Sequence, residues 1–120
     1  MIPPAVRLGA NPAWHLYPIR LDLEKLTAGR GEVFRALRAE NIGVNVHYIP
    51  VHLHPYYKER FGYCGGEFPV AEAAYEGLIS LPMFHGMSDG DAEDVIAAVR
   101  KVGDAYSESS LSWRQDAQAV

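Results

Sequence analysis

The sequence predicts an α+β fold in which helices pack on one face of a small, mostly antiparallel sheet. Three observations predict it. Short segments alternate apolar and polar residues as strands do, helical apolar stripes separate them, and the order of elements is β-α-β-loop-α-β-α. The chain has 120 residues, which is enough for one domain with a modest core. Its 48% hydrophobic and 22% charged residues are typical of a globular protein.

The first half of the chain predicts a strand, a helix and a second strand. Residues 14–22 alternate in polarity, and Pro18 places this strand at a sheet edge because proline donates no ladder hydrogen bond. Residues 30–40 carry one apolar helical stripe, and Asn41 suits the left-handed conformation that ends a helix. Alternation at residues 44–48 predicts the second strand.

The second half begins with a long segment, residues 49–67, that has no regular period. A short helix is predicted after Pro55, and the rest is expected to be an ordered loop of functional importance. Residues 69–77 predict a helix and residues 78–82 a strand. Ser88 and Asp91 form a capping-box pattern that begins a last helix, which is expected to end at Gly103.

The predicted domain boundaries follow from composition. Residues 1–12 are interpreted as a linker from a large domain that is missing here, because two prolines so soon after Met1, at positions 3 and 4, are unusual for a natural start. Residues 13–106 are interpreted as the small domain. Residues 107–120 are polar and serine-rich, and are expected to be a disordered tail.

Charge and composition exclude several classes of function. The net charge of −4 and scattered basic residues argue against nucleic acid as a partner. No apolar run approaches the roughly 20 residues of a membrane span, so no membrane partner is expected. The N-terminus lacks a signal-peptide pattern, and the single cysteine, Cys64, fits a reducing compartment. A cytoplasmic location is therefore predicted.

The densest chemical feature is residues 46–57, which contain three of the five histidines together with three tyrosines. One interpretation is structural, with ring nitrogens bonded to backbone carbonyls. A second is a metal site at His52 and His54, completed by His47 or Cys64. No HExxH or CxxC spacing and no carboxylate close in sequence supports it, so no bound metal is predicted. A third interpretation is a ligand-contacting loop on a rigid support.

Three segments in order carry a family resemblance. They are AWHLYPI at residues 13–19, GVNVHYIPVHLHPYY at residues 43–57, and FPVAE at residues 68–72 followed by ISLP at residues 79–82. Together they resemble the C-terminal portion of the DegT/DnrJ/EryC1/StrS sugar aminotransferases. The second segment is most similar to the branch that makes UDP-4-amino-4,6-dideoxy-N-acetyl-L-altrosamine in pseudaminic acid biosynthesis. His54 departs from that branch, where glutamine is expected.

The resemblance implies the C-terminal small domain of a fold-type-I transferase that depends on pyridoxal 5'-phosphate (PLP). Such an enzyme is a homodimer that moves an amino group from glutamate to a 4-keto nucleotide sugar. PLP would be held mainly by the large domain, which carries the Schiff-base lysine. None of Lys25, Lys58 and Lys101 matches the family's lysine motif. We therefore expect no catalytic residue in this chain, and no activity from it alone.

The resemblance also implies which residues face the substrate. Tyr48 and His52 are the leading candidates for contacts with the sugar or the diphosphate. The full set of predicted substrate-binding residues is His47, Tyr48, His52 and His15, with Pro50 and Tyr57 as loop support. A different class of function stays open beside this one, because small ligand-binding or regulatory modules are built from the same order of elements.

Overall fold

The computed structural model describes residues 1–107 and confirms the α+β prediction. Two antiparallel strands and four helices make up the described part of the chain. A 3₁₀ turn, Val51–Leu53, precedes the second helix. The elements are β1 Tyr17–Arg20, α1 Arg30–Ala39, α2 Pro55–Phe61, α3 Pro69–Gly77, β2 Leu78–Leu81 and α4 Asp89–Ala105.

The sheet is smaller than the sequence predicts. β1 and β2 pair antiparallel, with Tyr17 opposite Leu81 and Ile19 opposite Ile79. Only four of the residues predicted as the first strand belong to β1, because β2 offers a partner of only four residues. Ile2 adds one bridge to Arg20, through backbone N–H···O distances of 2.8 and 2.9 Å.

The strand predicted at residues 44–48 is wrong. Only Asn45 pairs with the sheet, in an isolated bridge to Ser80 with N–H···O distances of 2.8 and 3.0 Å. An antiparallel ladder advancing from this bridge would next match Gly43 with Pro82, and proline has no N–H to donate. At the other end, His47 turns its side chain to Ser80 instead of continuing the ladder.

The core lies between α1, α4 and the sheet. Val33 and Leu37 of α1 and Ile79 of β2 are fully buried. The inward face of α4 packs against them through Val95, Ala98 and Val102. The apolar stripe on each helix matches the helical repeat, and burial of that stripe provides most of the stability of such helices.

Local signals set the helix ends, with one exception. Asn41 adopts the left-handed conformation after α1, and the capping box of Ser88 and Asp91 begins α4 as predicted. The predicted end of α4 at Gly103 is wrong, since the helix continues to Ala105. A helical glycine costs only about 1 kcal/mol relative to alanine, and the neighbouring Val102 gains burial if the helix continues.

Both ends of the described chain are tied to the domain. Met1 packs against the core, and its side chain approaches Gly103. Ser107 bridges to Leu26, and the backbone N–H of Thr27 donates to the carbonyl of Tyr106 at 2.8 Å. Ser107 is thus paired, whereas the rest of the predicted tail lies outside the described residues. Within residues 1–107, the helices are too short or too polar to cross a membrane.

Candidate functional site

The segment of residues 47–57 leaves the sheet beside Ser80. The Nδ1 atom of His47 lies 3.0 Å from the Ser80 hydroxyl, and Ser80 is itself buried in β2. The ring of Tyr48 packs against that of His47, with their centroids 4.7 Å apart. Tyr48 nevertheless remains 71% exposed. A fixed backbone therefore presents an exposed phenol, which is the arrangement that a polar ligand site needs.

His52 occupies the buried end of the segment. Its Nε2 atom lies 2.8 Å from Oε1 of Glu72, which is in the first turn of α3. The imidazole also packs against Phe68 at 4.6 Å and against Tyr63 at 6.1 Å between centroids. By contrast, His54 donates from Nε2 to the Ile49 carbonyl at 3.2 Å. The structural interpretation of the histidines therefore applies to His54.

A glycine loop, residues 62–68, closes over His52. Gly62, Gly65 and Gly66 all have positive φ angles, a conformation that side chains larger than hydrogen disfavour. The carboxylate of Glu67 accepts the N–H groups of residues 64 and 65, each at 2.8 Å. The carboxylate of Glu72 accepts the N–H of Gly66 at 2.8 and 2.9 Å and that of residue 68 at 3.3 Å.

These hydrogen bonds lower the pKa of both carboxyl groups. For Glu72, the hydrogen bond from His52 is the largest cause of the lowered pKa, followed by that from the Gly66 amide. For Glu67, the N–H of Cys64 is the largest cause of the lowered pKa. Hydrogen bonds to a charged carboxylate favour that form, so both groups are ionised at neutral pH. Two negative charges thus lie against the backbone N–H groups of the loop.

A cleft of about 370 Å³ opens above His52. It is lined by Pro50, Val51, His52, Tyr57, Tyr63, Phe68 and Ala71. Three of the predicted site residues, His52, Pro50 and Tyr57, therefore meet in one cleft. His47 and Tyr48 lie at the opposite end of the same segment, beside Ser80. His15 is exposed before the start of β1 and does not line this cleft, so its role stays a prediction.

Glu72 and Ser80 are the residues that the sequence reasoning missed. Both lie in segments that carry the family resemblance, FPVAE and ISLP, but the sequence alone gives neither a role. Glu72 is 20 residues from His52 in sequence and Ser80 is 33 residues from His47. No carboxylate lies close to His52 along the chain, yet the fold brings the Glu72 carboxylate into contact with it.

The grouping of histidines considered for a metal ion does not form in the described residues. His47, His52 and His54 each bond to a different partner. The group that does meet is His52, Glu67 and Glu72, whose ligand atoms lie within 4.8 Å of one another. Its carboxylate oxygens accept backbone N–H groups of the glycine loop, and these contacts give the group a structural role in holding that loop.

The three lysines do not fit a covalent PLP site. Lys25 pairs with Asp22 and Lys101 with Glu40, each at 2.8 Å, and Lys58 is exposed on α2. Asp22 raises the pKa of Lys25 further, which keeps that amine protonated. A protonated, exposed ammonium is a poor nucleophile. No step through the cofactor is therefore assigned to a lysine of this chain.

Comparison with known proteins decides the family. Residues 2–100 match the model of the DegT/DnrJ/EryC1/StrS aminotransferase family. The chain belongs to this family. Over 103 residues it is 47% identical to the spore coat polysaccharide biosynthesis protein SpsC of Bacillus subtilis, a match that covers 85% of this chain and 26% of SpsC. Over 102 residues it is 44% identical to the protein MJ1066 of Methanocaldococcus jannaschii, with 85% of this chain and 26% of that protein covered.

Solved structures of aminotransferases share the fold. The aminotransferase TlmJ of Streptoalloteichus hindustanus aligns with a TM-score of 0.68 at 29% identity, covering 85% of this chain and 25% of TlmJ. A family member from Brucella abortus aligns with a TM-score of 0.67 at 29% identity, covering 83% of this chain and 25% of that protein. Helicobacter pylori PseC aligns with a TM-score of 0.67 at 24% identity, covering 76% of this chain and 24% of PseC. At this identity the likeness is one of fold alone. The chain spans about a quarter of the length of these relatives.

Proposed function

We propose that this chain is the small domain of a PLP-dependent sugar aminotransferase and that residues 47–57 form one wall of its sugar site. One observation carries the proposal. In a chain of established aminotransferase family, an exposed tyrosine, Tyr48, stands on a backbone that Ser80 fixes through both Asn45 and His47. Such preorganised polar groups are how a protein orients a polar substrate.

The relatives and the sequence support a finer assignment. The substrate is proposed to be a 4-keto nucleotide sugar, with glutamate as the amino donor. PseC is described as an aminotransferase of pseudaminic acid biosynthesis and SpsC as a polysaccharide biosynthesis protein. The HYIPVHL wording favours the altrosamine branch among such enzymes. Family membership argues against a stand-alone regulatory module.

The domain arrangement is part of the same proposal. Residues 1–12 would connect to a large PLP domain, residues 13–106 would form the small domain, and residues 107–120 a polar tail. The complete enzyme would be a cytoplasmic homodimer. PLP supplies the electron sink for amino transfer. The residues of this chain orient the sugar, and the chain alone forms no covalent bond to PLP and transfers no amino group.

The proposal can be tested by titrating the isotope-labelled 120-residue chain with UDP-N-acetylglucosamine and following its amide NMR signals. Signals from residues 47–57 are expected to shift, because these residues contact the sugar. Tyr48→Ala should weaken binding by at least about tenfold, the loss of roughly 1.4 kcal/mol of contact energy. Phe84→Ala is the matched control, since Phe84 is an exposed aromatic residue, 57% accessible, that lies outside residues 47–57.

Two results would contradict the proposal. One is the absence of any shift in residues 47–57 at saturating nucleotide sugar. The other is a set of shifts confined to another surface, such as the hollow beside Glu40 and Lys101. Equal losses of affinity in Tyr48→Ala and Phe84→Ala would show that Tyr48 has no special place in the site.

A further inference from the structure

We propose that Glu72 is a positioning residue that holds the proton of His52 on Nε2. The Nδ1 atom of His52 is then free to accept a hydrogen bond from an N–H or O–H group of the bound nucleotide sugar. The choice of ligand rests on the proposed function, whereas the tautomer of His52 follows from the contacts of this chain alone.

The first step is the direction of one hydrogen bond. Glu72 Oε1 lies 2.8 Å from Nε2 of His52. An ionised carboxylate can only accept, so Nε2 must donate. The carboxylate cannot turn away freely, because the Gly66 N–H holds both of its oxygens at 2.8 and 2.9 Å. A carboxylate fixed in this way selects the tautomer and the orientation of the imidazole that it contacts.

The second step concerns the other ring nitrogen. Within residues 1–107, the Nδ1 atom of His52 has no hydrogen-bond partner, although His52 is only 8% exposed. Among the described residues, no side-chain nitrogen or oxygen is fully buried without a partner. Nδ1 therefore keeps contact with solvent. His52 lines the cleft, and the proposal places Nδ1 at this opening. In a neutral imidazole whose Nε2 carries the proton, Nδ1 is an acceptor.

The third step is what such an acceptor can recognise. A hydroxyl or an amide N–H donates to it, whereas a phosphate oxygen cannot. In the described part of the chain, no lysine or arginine lines the cleft, and the ionised Glu67 and Glu72 lie nearby, which disfavours an anion further. Aromatic rings in the lining offer apolar faces for a sugar or base ring. The diphosphate contact considered for His52 is thus replaced by a contact to a donor group.

The tautomer is read directly by two-bond proton–nitrogen correlation on the whole chain labelled with ¹⁵N-histidine, at neutral pH. His52 is expected to show a protonated Nε2 and an unprotonated Nδ1. Glu72→Gln should give a mixture of both tautomers, because its amide can donate to Nε2 as well as accept from it. The matched control is Glu67→Gln, which removes a charge from the same loop without touching His52 Nε2 and should leave the tautomer unchanged.

The ligand is tested with two probes, UDP-N-acetylglucosamine and inorganic pyrophosphate. The nucleotide sugar should shift the Nδ1 resonance of His52 in the direction of hydrogen-bond acceptance, and pyrophosphate should leave it unmoved. This shift should be lost in Glu72→Gln and kept in Glu67→Gln. A role for Glu72 limited to loop structure would not change the ratio of tautomers in a variant whose amide spectrum is otherwise native.

The outcomes separate this inference from the proposed function. A proton on Nδ1 in the unchanged protein, whether as the other tautomer or as imidazolium, overturns the inference and leaves the proposed function standing. The inference is also overturned, with the proposed function left standing, if the nucleotide sugar shifts the signals of Tyr48 but not those of His52. A shift of the His52 signals by pyrophosphate has the same consequence. If no signal in residues 47–57 responds to either probe, the proposed function and the ligand assignment are both overturned. Each of these results is measured on the unchanged protein, so a variant that fails to fold does not remove the test.

Discussion

Replacing Leu37 with alanine tests whether α1 and the sheet share the core that supports the site. Leu37 of α1 is fully buried, at 0% exposure, in the apolar cluster that α1 forms with α4 and the sheet. The substitution removes three carbon atoms, and at about 0.8 kcal/mol per buried CH₂ the transfer cost is about 2.4 kcal/mol. The cavity adds to this cost, so the total loss in free energy of unfolding is expected to be about 3–4 kcal/mol.

Leu8→Ala is the matched control, because Leu8 is 101% exposed and the same atoms are removed from water. Its free energy of unfolding should change by less than about 0.5 kcal/mol. Urea unfolding followed by circular dichroism measures both variants. If Leu37→Ala loses less than about 1 kcal/mol, or no more than Leu8→Ala, the assignment of this core is refuted. Because Ser80 of β2 contacts the His47 ring, and Leu37 packs in the same core as β2, we also expect the His47 side chain to be less fixed in Leu37→Ala.

Three further predictions concern a cap, pH and the cofactor. Ser88→Ala should lower the free energy of unfolding by about 1 kcal/mol, and Ser88→Thr should restore most of it in thermal denaturation. Because folding lowers the pKa of Glu67 and Glu72 below 4.5, the unfolded chain takes up protons first, so stability should fall as pH drops through and below 4.5. When the free energy of unfolding is measured by urea unfolding at a series of pH values, its fall with decreasing pH should be shallower in Glu72→Gln. Borohydride reduction with equimolar PLP should leave no single lysine stoichiometrically labelled by mass spectrometry, and one fully labelled lysine would contradict the chain's proposed role.

The elements that the sequence predicted well are those whose signals are local. α3 occupies the predicted residues 69–77, because Pro69 suits a first helical position and the next residues favour a helix. Asn41 ends α1, and Ser88 begins α4 with Asp91 as its reciprocal partner. In each case the deciding contact lies within three or four residues, so the pattern can be recognised in the sequence itself.

The failures depend on which distant residue faces which. Alternation at residues 44–48 is genuine, yet β2 begins only at Leu78, directly after α3, so the ladder from the Asn45–Ser80 bridge has almost no strand left to pair with on that side. Dependence on distant residues is also why the contacts of the site could not be predicted from the sequence. The segment of residues 46–57 was identified from its composition, but its partners Glu72 and Ser80 come from other elements. Composition therefore located the candidate site, while only the fold shows what orients its histidines.

The described chain is divided between a part that provides stability and a part that presents polar groups. Within residues 1–107, the buried apolar cluster draws on α1, α4 and the sheet, and α2 contributes no buried residue. The segment around the cleft is fastened instead by hydrogen bonds to Glu67, Glu72 and Ser80. Substitutions at Tyr48 can therefore change ligand binding without unfolding the core. Since no lysine here fits covalent chemistry, the contribution that we propose for this chain in amino transfer is recognition of the sugar, with Glu72 fixing the tautomer of His52.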